Sequence, residues 1–229
     1  MRMVDLSQTT LRELNAALHR LTPDTNERYW RVLNPRGQHA IAAGLDAPAT
    51  IEIEGHVGYY CAGMNKEATI VVNGSAGQGV AENMMSGRVH VKGDASQAAG
   101  ATGCGGLLVI DGNASARCGI SMKGIDIVVK GSVGHMSAFM GQAGNLVVLG
   151  DAGEALGDSI YEARLFVRGN VVSLGADCVE KELGENHKAE LRKLLAAAGL
   201  NGAVEPASFR RYGSARKLYH FHFDNAGSY

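Results

Sequence analysis

The stretch IVVNGSAGQGVAENMMSGRVHVKG, residues 70–93, carries one signal twice. A short apolar segment closes on a glycine as Ile70-Val71-Val72-Asn73-Gly74, and again 19 residues later as Val89-His90-Val91-Lys92-Gly93. Followed outward in both directions, the interval runs unbroken through Gly55, Gly74, Gly93, Gly112, Gly131, Gly150 and Gly169. The residues four and two before each glycine are always aliphatic, from Ile51/Ile53 through Leu108/Ile110 to Leu165/Val167. The residue between them is often polar, so the local period is two, as in a strand with one buried face. Two residues past each glycine the side chain is again small and apolar: Val57, Ala76, Ala95, Ala114, Val133, Ala152 and Val171.

Nineteen residues are too few for a strand, a packed helix and two loops, but they suit one coil of a solenoid whose short strands pair in parallel with those of the next coil. At ~4.8 Å per coil, seven coils make a rod on the order of 35 Å long. The expected fold is all-β: a single-stranded right-handed parallel β-helix of about seven 19-residue coils, with helical caps at both ends. The glycines mark corners that need either positive φ or close backbone approach. Proline is absent between Pro48 and Pro206, which fits backbone amides engaged in an inter-coil ladder. A weaker column, Met64, Met84, Thr102, Met122, Met140 and Ile160, reads as a core stack, with an exposed adaptable strip as the alternative.

The flanks divide the chain into an N-terminal helix and degenerate first coil (1–49), the repeats (50–178), and a C-terminal helix and tail (179–229). Thr10 and Glu13 have capping-box spacing ahead of a stripe of Leu11, Leu14, Leu18 and Leu21. Val32 falls 19 residues before Ile51, placing a coil ahead of the first glycine. Asn186 is positioned to cap a helix carrying Leu191, Leu194, Leu195 and Ala198 and stopped by Gly199. Beyond it, Tyr219-His220-Phe221-His222-Phe223 alternates as a strand.

With 229 residues, 45% of them hydrophobic, the chain is long enough to bury a sizeable core. A net charge of −1 with interspersed signs argues against a nucleic-acid partner. The sequence has no apolar run of membrane-spanning length and no signal peptide at its start, so a cytoplasmic location is expected. Cys61, Cys104, Cys118 and Cys178 form no C-x-x-C pair. Cys61 and Cys118 share a phase three coils apart, about 14 Å, too far for a disulfide and consistent with reduced thiols.

Each candidate site has a plainer reading. The glycine clusters at 74–79 and 103–106 lead into further coils, where a phosphate loop would lead into a helix. His220 and His222 share a strand face but have no third metal ligand near them in sequence. His56, His90 and His135 occupy different phases of the repeat. Asp158 and Glu162 have no recurring nucleophile or cation beside them for acid–base work. No catalytic, cofactor-binding or metal residue is therefore assigned.

The glycine-rich corners, for example GISMKG (119–124) and SAFMGQAGNLVVLGDAG (137–153), resemble the GXGXG β-helix domain. That domain closes the large subunit of glutamate synthase and also stands alone as the β-helix chain of formylmethanofuran dehydrogenases and related formyltransferase/hydrolase complexes. GYYCAG (58–63), GDSIYEA (157–163), LGADC (174–178) and FRRYGSARKLYHF (209–221) are most similar to stand-alone glutamate-synthase-domain-three proteins, which belong with N-methylglutamate synthase. The resemblance spans about residues 30–229. It implies a noncatalytic subunit of a hetero-oligomer that turns methylamine and L-glutamate into N-methyl-L-glutamate and ammonia. Its partners would be a class II amidotransferase-like chain and a chain carrying FMN and an iron–sulfur cluster, with no cofactor on this chain. A formylmethanofuran-type scaffold is the alternative.

Overall fold

The computed structural model describes residues 1–216. Eleven strands form one continuous sheet: β1 Arg2–Asp5, β2 Tyr29–Leu33, β3 Thr50–Glu54, β4 Thr69–Val72, β5 Arg88–Val91, β6 Leu107–Ile110, β7 Lys123–Val129, β8 Ala143–Val148, β9 Arg164–Val167, β10 Cys178–Lys181 and β11 Arg210–Ser214. Two helices, α1 Leu11–Leu18 and α2 Glu185–Ala197, complete the regular structure apart from a 3-10 turn at Pro206–Ser208. From β3 to β9 every strand pairs in parallel with the next at an offset of 19, as in Ile51↔Ile70, Ile70↔Val89 and Val89↔Leu108. The small-residue column forms its own parallel bridges, from Val57↔Ala76 to Ala152↔Val171. Both aliphatic columns are fully buried.

The glycines owe their places to space rather than to φ. Only Gly55 of the seven has a positive φ, 132°. From Gly55 to Gly150, the residue after the glycine folds its side chain over the corner and accepts the amide of its counterpart one coil on. Ser75 N–H donates to His56 Nδ1 at 2.9 Å, Asp94 N–H to Ser75 Oγ at 3.2 Å and Asn113 N–H to Asp94 Oδ1 at 2.7 Å. Ser132 N–H then donates to Asn113 Oδ1 at 2.9 Å, Asp151 N–H to Ser132 Oγ at 3.0 Å and Asn170 N–H to Asp151 Oδ1 at 2.7 Å. From Gly93 onward the accepting atom lies where a Cβ on the next glycine would go, whereas at Gly74 the backbone of Gly55 and His56 fills that space. That Cβ would stand 2.3 Å from Asp94 Oδ1 at Gly112, 2.4 Å from Asn113 Oδ1 at Gly131 and 2.4 Å from Asp151 Oδ1 at Gly169.

Positive φ is concentrated instead at the second corner of each coil, mostly on residues other than glycine. Tyr60, Ala62 and Met64 have φ of 59°, 57° and 55°, and the pattern returns at Met136, Ala138 and Met140. A left-handed residue with a Cβ costs roughly 1–2 kcal/mol. The hydrogen bonds show what offsets that cost: successive left-handed residues send their amides to opposite neighbours. Tyr60 N–H reaches Gln78 O at 2.8 Å in the following coil, Ala62 N–H reaches Ile41 O at 3.0 Å in the preceding one, and Met64 N–H reaches Glu82 O at 2.8 Å.

This corner splits the expected methionine stack into two neighbouring columns. Met64 and Met140 take left-handed positions and are about half exposed, whereas Met84, Met122 and Ile160, one position further along, are buried. Gly103 and Gly141 alternate with those large side chains, and a Cβ on Gly141 would meet Ala163 Cβ at 3.1 Å.

At the N-terminal end, a first coil does precede the repeats, but in a different register from the one expected. Val32 pairs with Ile53 and Trp30 with Ile51, an offset of 21 that keeps the buried face unchanged. β1, which the periodicity does not reveal, adds in parallel outside β2. α1 carries the expected capping box, with Glu13 N–H on Thr10 Oγ1 and Thr10 N–H on Glu13 Oε2. It also closes the open edge of the second corner, where no earlier coil exists. Asn15 Oδ1 accepts the Ala42 amide at 3.0 Å, Asn15 Nδ2 donates to Ala40 O at 2.9 Å, and His19 Nε2 meets Ala43 O at 2.7 Å.

The C-terminal end differs from expectation. α2 starts after Gly184, which provides no side-chain cap, so Asn186 lies inside the helix. Gly199 does terminate it, with φ of 78°. The helix lies on the outer face of the sheet rather than across the rod's end. There Val109, Val128, Val147 and Phe166, the middle residues of β6 to β9, form a second core with Leu191, Leu194, Leu195, Ala198 and Phe209. Its last turn is tied down by Arg88 Nη1, which donates to Ala197 O at 2.8 Å. The rod ends instead in strands: β11 pairs antiparallel with β9, and β10 lies outside it. The strand expected at 219–223, with His220 and His222, lies outside the described residues.

Gly112→Ala should lower stability by about 1–3 kcal/mol, because Asp94 and the backbone of Gly93 leave no room for the methyl. Asp94→Ala should cost only about 1 kcal/mol, the worth of one hydrogen bond. Urea midpoints would test this, and equal losses for the two variants would contradict the steric account. Cys104 is exposed, whereas Cys61, Cys118 and Cys178 are free but buried. Burial pushes the Cys61 and Cys118 thiols up to about 12 and that of Cys178 up to about 11. An aromatic disulfide reagent should therefore react rapidly with a single thiol of the native chain, and Cys104→Ser should abolish that phase.

Candidate functional site

The residues singled out from sequence do not converge. Asp158 serves the coil edge: its Oδ2 accepts the Ala176 amide at 3.2 Å and its Oδ1 the Ser159 hydroxyl at 2.8 Å. His135 is exposed at a corner. His56 is the first acceptor of the corner ladder. His90 faces outward from β5 with its Nε2 2.9 Å from Asp111, which also takes Lys130 at 2.7 Å. Burial lowers the His90 pKa despite that partner. Burial alone would raise Asp111, but its hydrogen bonds from Lys130 and His90 together leave it lowered. The glycine clusters at 74–79 and 103–106 are coil corners, leading on to β5 and to β6 respectively.

Glu162 is the exception, since it lies in the cleft where the last coil meets the terminal strands. This cleft has a volume of about 490 Å³. Tyr161 and Glu162 enter it from the loop before β9, Arg164 from β9, Lys181 from β10 and Arg211 from β11. Ser214 and Arg216 complete its polar lining, while Ala143, Gly144, Ala163 and Gly213 keep part of the wall low. Two of the cations have acidic partners, Arg164 with Glu190 of α2 and Arg216 with Asp177. Arg211 donates through Nη1 to Glu182 O at 3.0 Å, while its Nε is buried without an acceptor. Burial, with Arg164 beside it, pushes the Arg211 pKa down. His187 is lowered too, by burial first and then by Arg211 and Arg164, and its Nδ1 is also buried without a partner.

Behind the cleft, under the N-terminal half of α2, the sheet presents Asp126, Asn145 and Arg164 in one row. Asn145 Nδ2 donates to Asp126 Oδ1 at 2.7 Å and to Glu190 Oε1 at 3.3 Å. Burial, with some repulsion from Glu190, raises the Asp126 pKa. Sequence reasoning missed the cleft because its cations come from outside the repeat, where column analysis has nothing to compare. The one available signal is the basic cluster in FRRYGSAR (209–216).

Such an arrangement of cations can bind and orient an anion. Among the described residues no group of three His, Cys, Asp or Glu side chains is placed to hold a metal ion. No helix among the described residues is long and apolar enough to cross a membrane.

The raised Asp126 pKa has a definite sign. The native chain holds this proton more tightly than the unfolded chain, so ionisation penalises the native state increasingly as pH rises above the usual 3.8, and the penalty is fully present at neutral pH. Asp126→Asn keeps an acceptor for Asn145 and should unfold at higher temperature than wild type at neutral pH. The gain should shrink as pH falls toward 4 or below. A gain independent of pH would remove ionisation as its cause.

No family model matches the chain, and no solved structure matches it. Among curated proteins it is 63% identical to Protein GlxC of Rhizobium meliloti (strain 1021), over 229 residues covering 100% of both chains. Identity at that level over the full length of both chains shows common descent. The chain belongs to the GlxC protein family.

Proposed function

We propose that this chain is the noncatalytic structural subunit of a glutamate-synthase-like complex, and specifically of an N-methylglutamate synthase. It would hold an amidotransferase-like chain and a chain carrying FMN and an iron–sulfur cluster together while they convert methylamine and L-glutamate to N-methyl-L-glutamate and ammonia. The observation that carries this reading is the in-register ladder from Gly55 to Gly169, in which each corner is tied to the next by backbone and side chain alike. A body tied at every coil can fix the separation of two catalytic centres, so that a small amine passing between them stays enclosed.

Two further points support it. The motifs GYYCAG (58–63), GDSIYEA (157–163) and LGADC (174–178) resemble those of stand-alone glutamate-synthase-domain-three proteins. The full-length match to GlxC is consistent with the coarser statement, a glutamate-synthase-like subunit. The cofactors in this reading belong to the partner.

Affinity capture of the chain from its own cells grown on methylamine tests the proposal. The expected product is a yellow-brown complex with flavin absorbance, containing an amidotransferase-like and an FMN-binding chain. A colourless complex with an amidohydrolase-like chain would move the assignment to a formylmethanofuran-type scaffold. Recovery of the chain alone would count against both.

A further inference from the structure

Two Asn–Gly pairs and one Asp–Gly pair occur in the sequence: Asn73–Gly74, Asn201–Gly202 and Asp111–Gly112. In such a pair the glycine nitrogen can attack the side-chain carbonyl carbon before it and close an imide ring, since glycine has no Cβ to obstruct the approach. What separates the three is whether the backbone is free to turn that way.

The coil ladder holds two of them. Asn73 N–H donates to Ile53 O at 2.8 Å, Gly74 O accepts Gly93 N–H at 2.9 Å, and the Ser75 amide is held by His56 Nδ1 at 2.9 Å. A Cβ on Gly74 would stand 2.5 Å from the Gly55 carbonyl carbon, so this corner turns only if two coils part. Gly112 N–H is itself bonded to Gly93 O at 3.1 Å, and the Asp111 carboxylate is engaged by His90 and Lys130.

Asn201–Gly202 is held by neither kind of contact. The pair forms the exposed centre of the turn after α2, closed by Ala203 N–H on Leu200 O at 3.1 Å. Gly202 has φ of 71°, and an added Cβ would meet nothing within 4 Å. Among the described residues neither of the two amides has an acceptor. Both residues line a cleft of about 190 Å³ between α2 and Pro206.

We propose that Asn201–Gly202 is a site of spontaneous deamidation, and that the product loosens the end of α2. The Gly202 nitrogen, giving up its proton, bonds to Asn201 Cγ, and the side-chain nitrogen leaves as ammonia. Water then opens the imide at either carbonyl, giving aspartate or, with the main chain rerouted through the side chain, isoaspartate. Either product places a negative charge just past the carboxyl end of α2, where the helix dipole disfavours it. Isoaspartate also lengthens the main chain by one carbon between Leu200 and Val204, both of which pack on the second core. A longer link displaces one of those anchors.

The isolated full-length chain, aged for weeks at mildly alkaline pH, tests this. Peptide mass spectrometry with electron-transfer fragmentation locates the ammonia loss and distinguishes aspartate from isoaspartate. Asn201 should convert roughly tenfold or more faster than Asn73, because reaction at Asn73 waits on local opening of a paired coil. Amides of Leu194–Ala198 should exchange with deuterium faster in the aged chain than in the fresh one. Asn201→Gln, whose longer side chain closes an imide far more slowly, should keep the fresh pattern, with melting curves reporting that it is folded. Equal rates at the two asparagines, or an unmodified Asn201, overturn the site. A modified Asn201 with unchanged exchange in α2 overturns the coupling. No partner enters the assay, so the result stands or falls apart from the functional reading above.

Discussion

The structure turns on a steric exclusion at the first corner of each coil. The side chain that accepts the next coil's amide lies where that coil's glycine would carry a Cβ, so acceptor and glycine require one another. Inserting or removing a residue between two corners would bring a Cβ onto the acceptor or leave an amide unmatched. That pairing keeps the interval constant from Gly55 to Gly169. The aliphatic columns, bridged small residues and left-handed second corners all keep their phase because the first corner keeps its own. Hydrophobic burial supplies the driving force along the rod, while the corner sets the register.

Much of this was legible in sequence because a repeat exposes columns. Aliphatic pairs such as Ile70/Val72 identify strands, and Val57 with its successors identifies the bridged position. The reason for the glycines was less accessible, since an acceptor and the Cβ it displaces belong to different coils. The set His56, Ser75, Asp94, Asn113, Ser132, Asp151 and Asn170 is uniform only in having an acceptor on a short reach. The change in the middle residue of each strand, from Glu52, Val71 and His90 to Val109, Val128, Val147 and Phe166, marks where α2 lies against the sheet. β1 and β11 could not be read this way, because neither belongs to the periodic series. The cleft was invisible for the same reason, as Lys181 and Arg211 meet only when the antiparallel end is in place.

The two ends of the rod have different chemistry. At the N-terminal end, Asn15 and His19 supply the edge hydrogen bonds that a preceding coil would have made. At the C-terminal end the strand direction reverses at β11, so another parallel coil cannot continue the stack from β9. The repeat itself thus stops by substitution at one end and by a reversal of strand direction at the other. Between them, part of the lateral surface is covered by α2.

The corner ladder also has a polarity. From His56 to Asn170, the accepting side chain always belongs to the earlier coil and the donating amide to the later one. A coil thus presents its acceptors toward residues that follow it in the chain. For a polypeptide emerging from the ribosome amino end first, each new turn meets a finished template already aimed at it, while the unfinished edge faces only chain still to be made. The same asymmetry makes the amino-terminal turn, with α1 closing its rear edge, the natural seed of the rod.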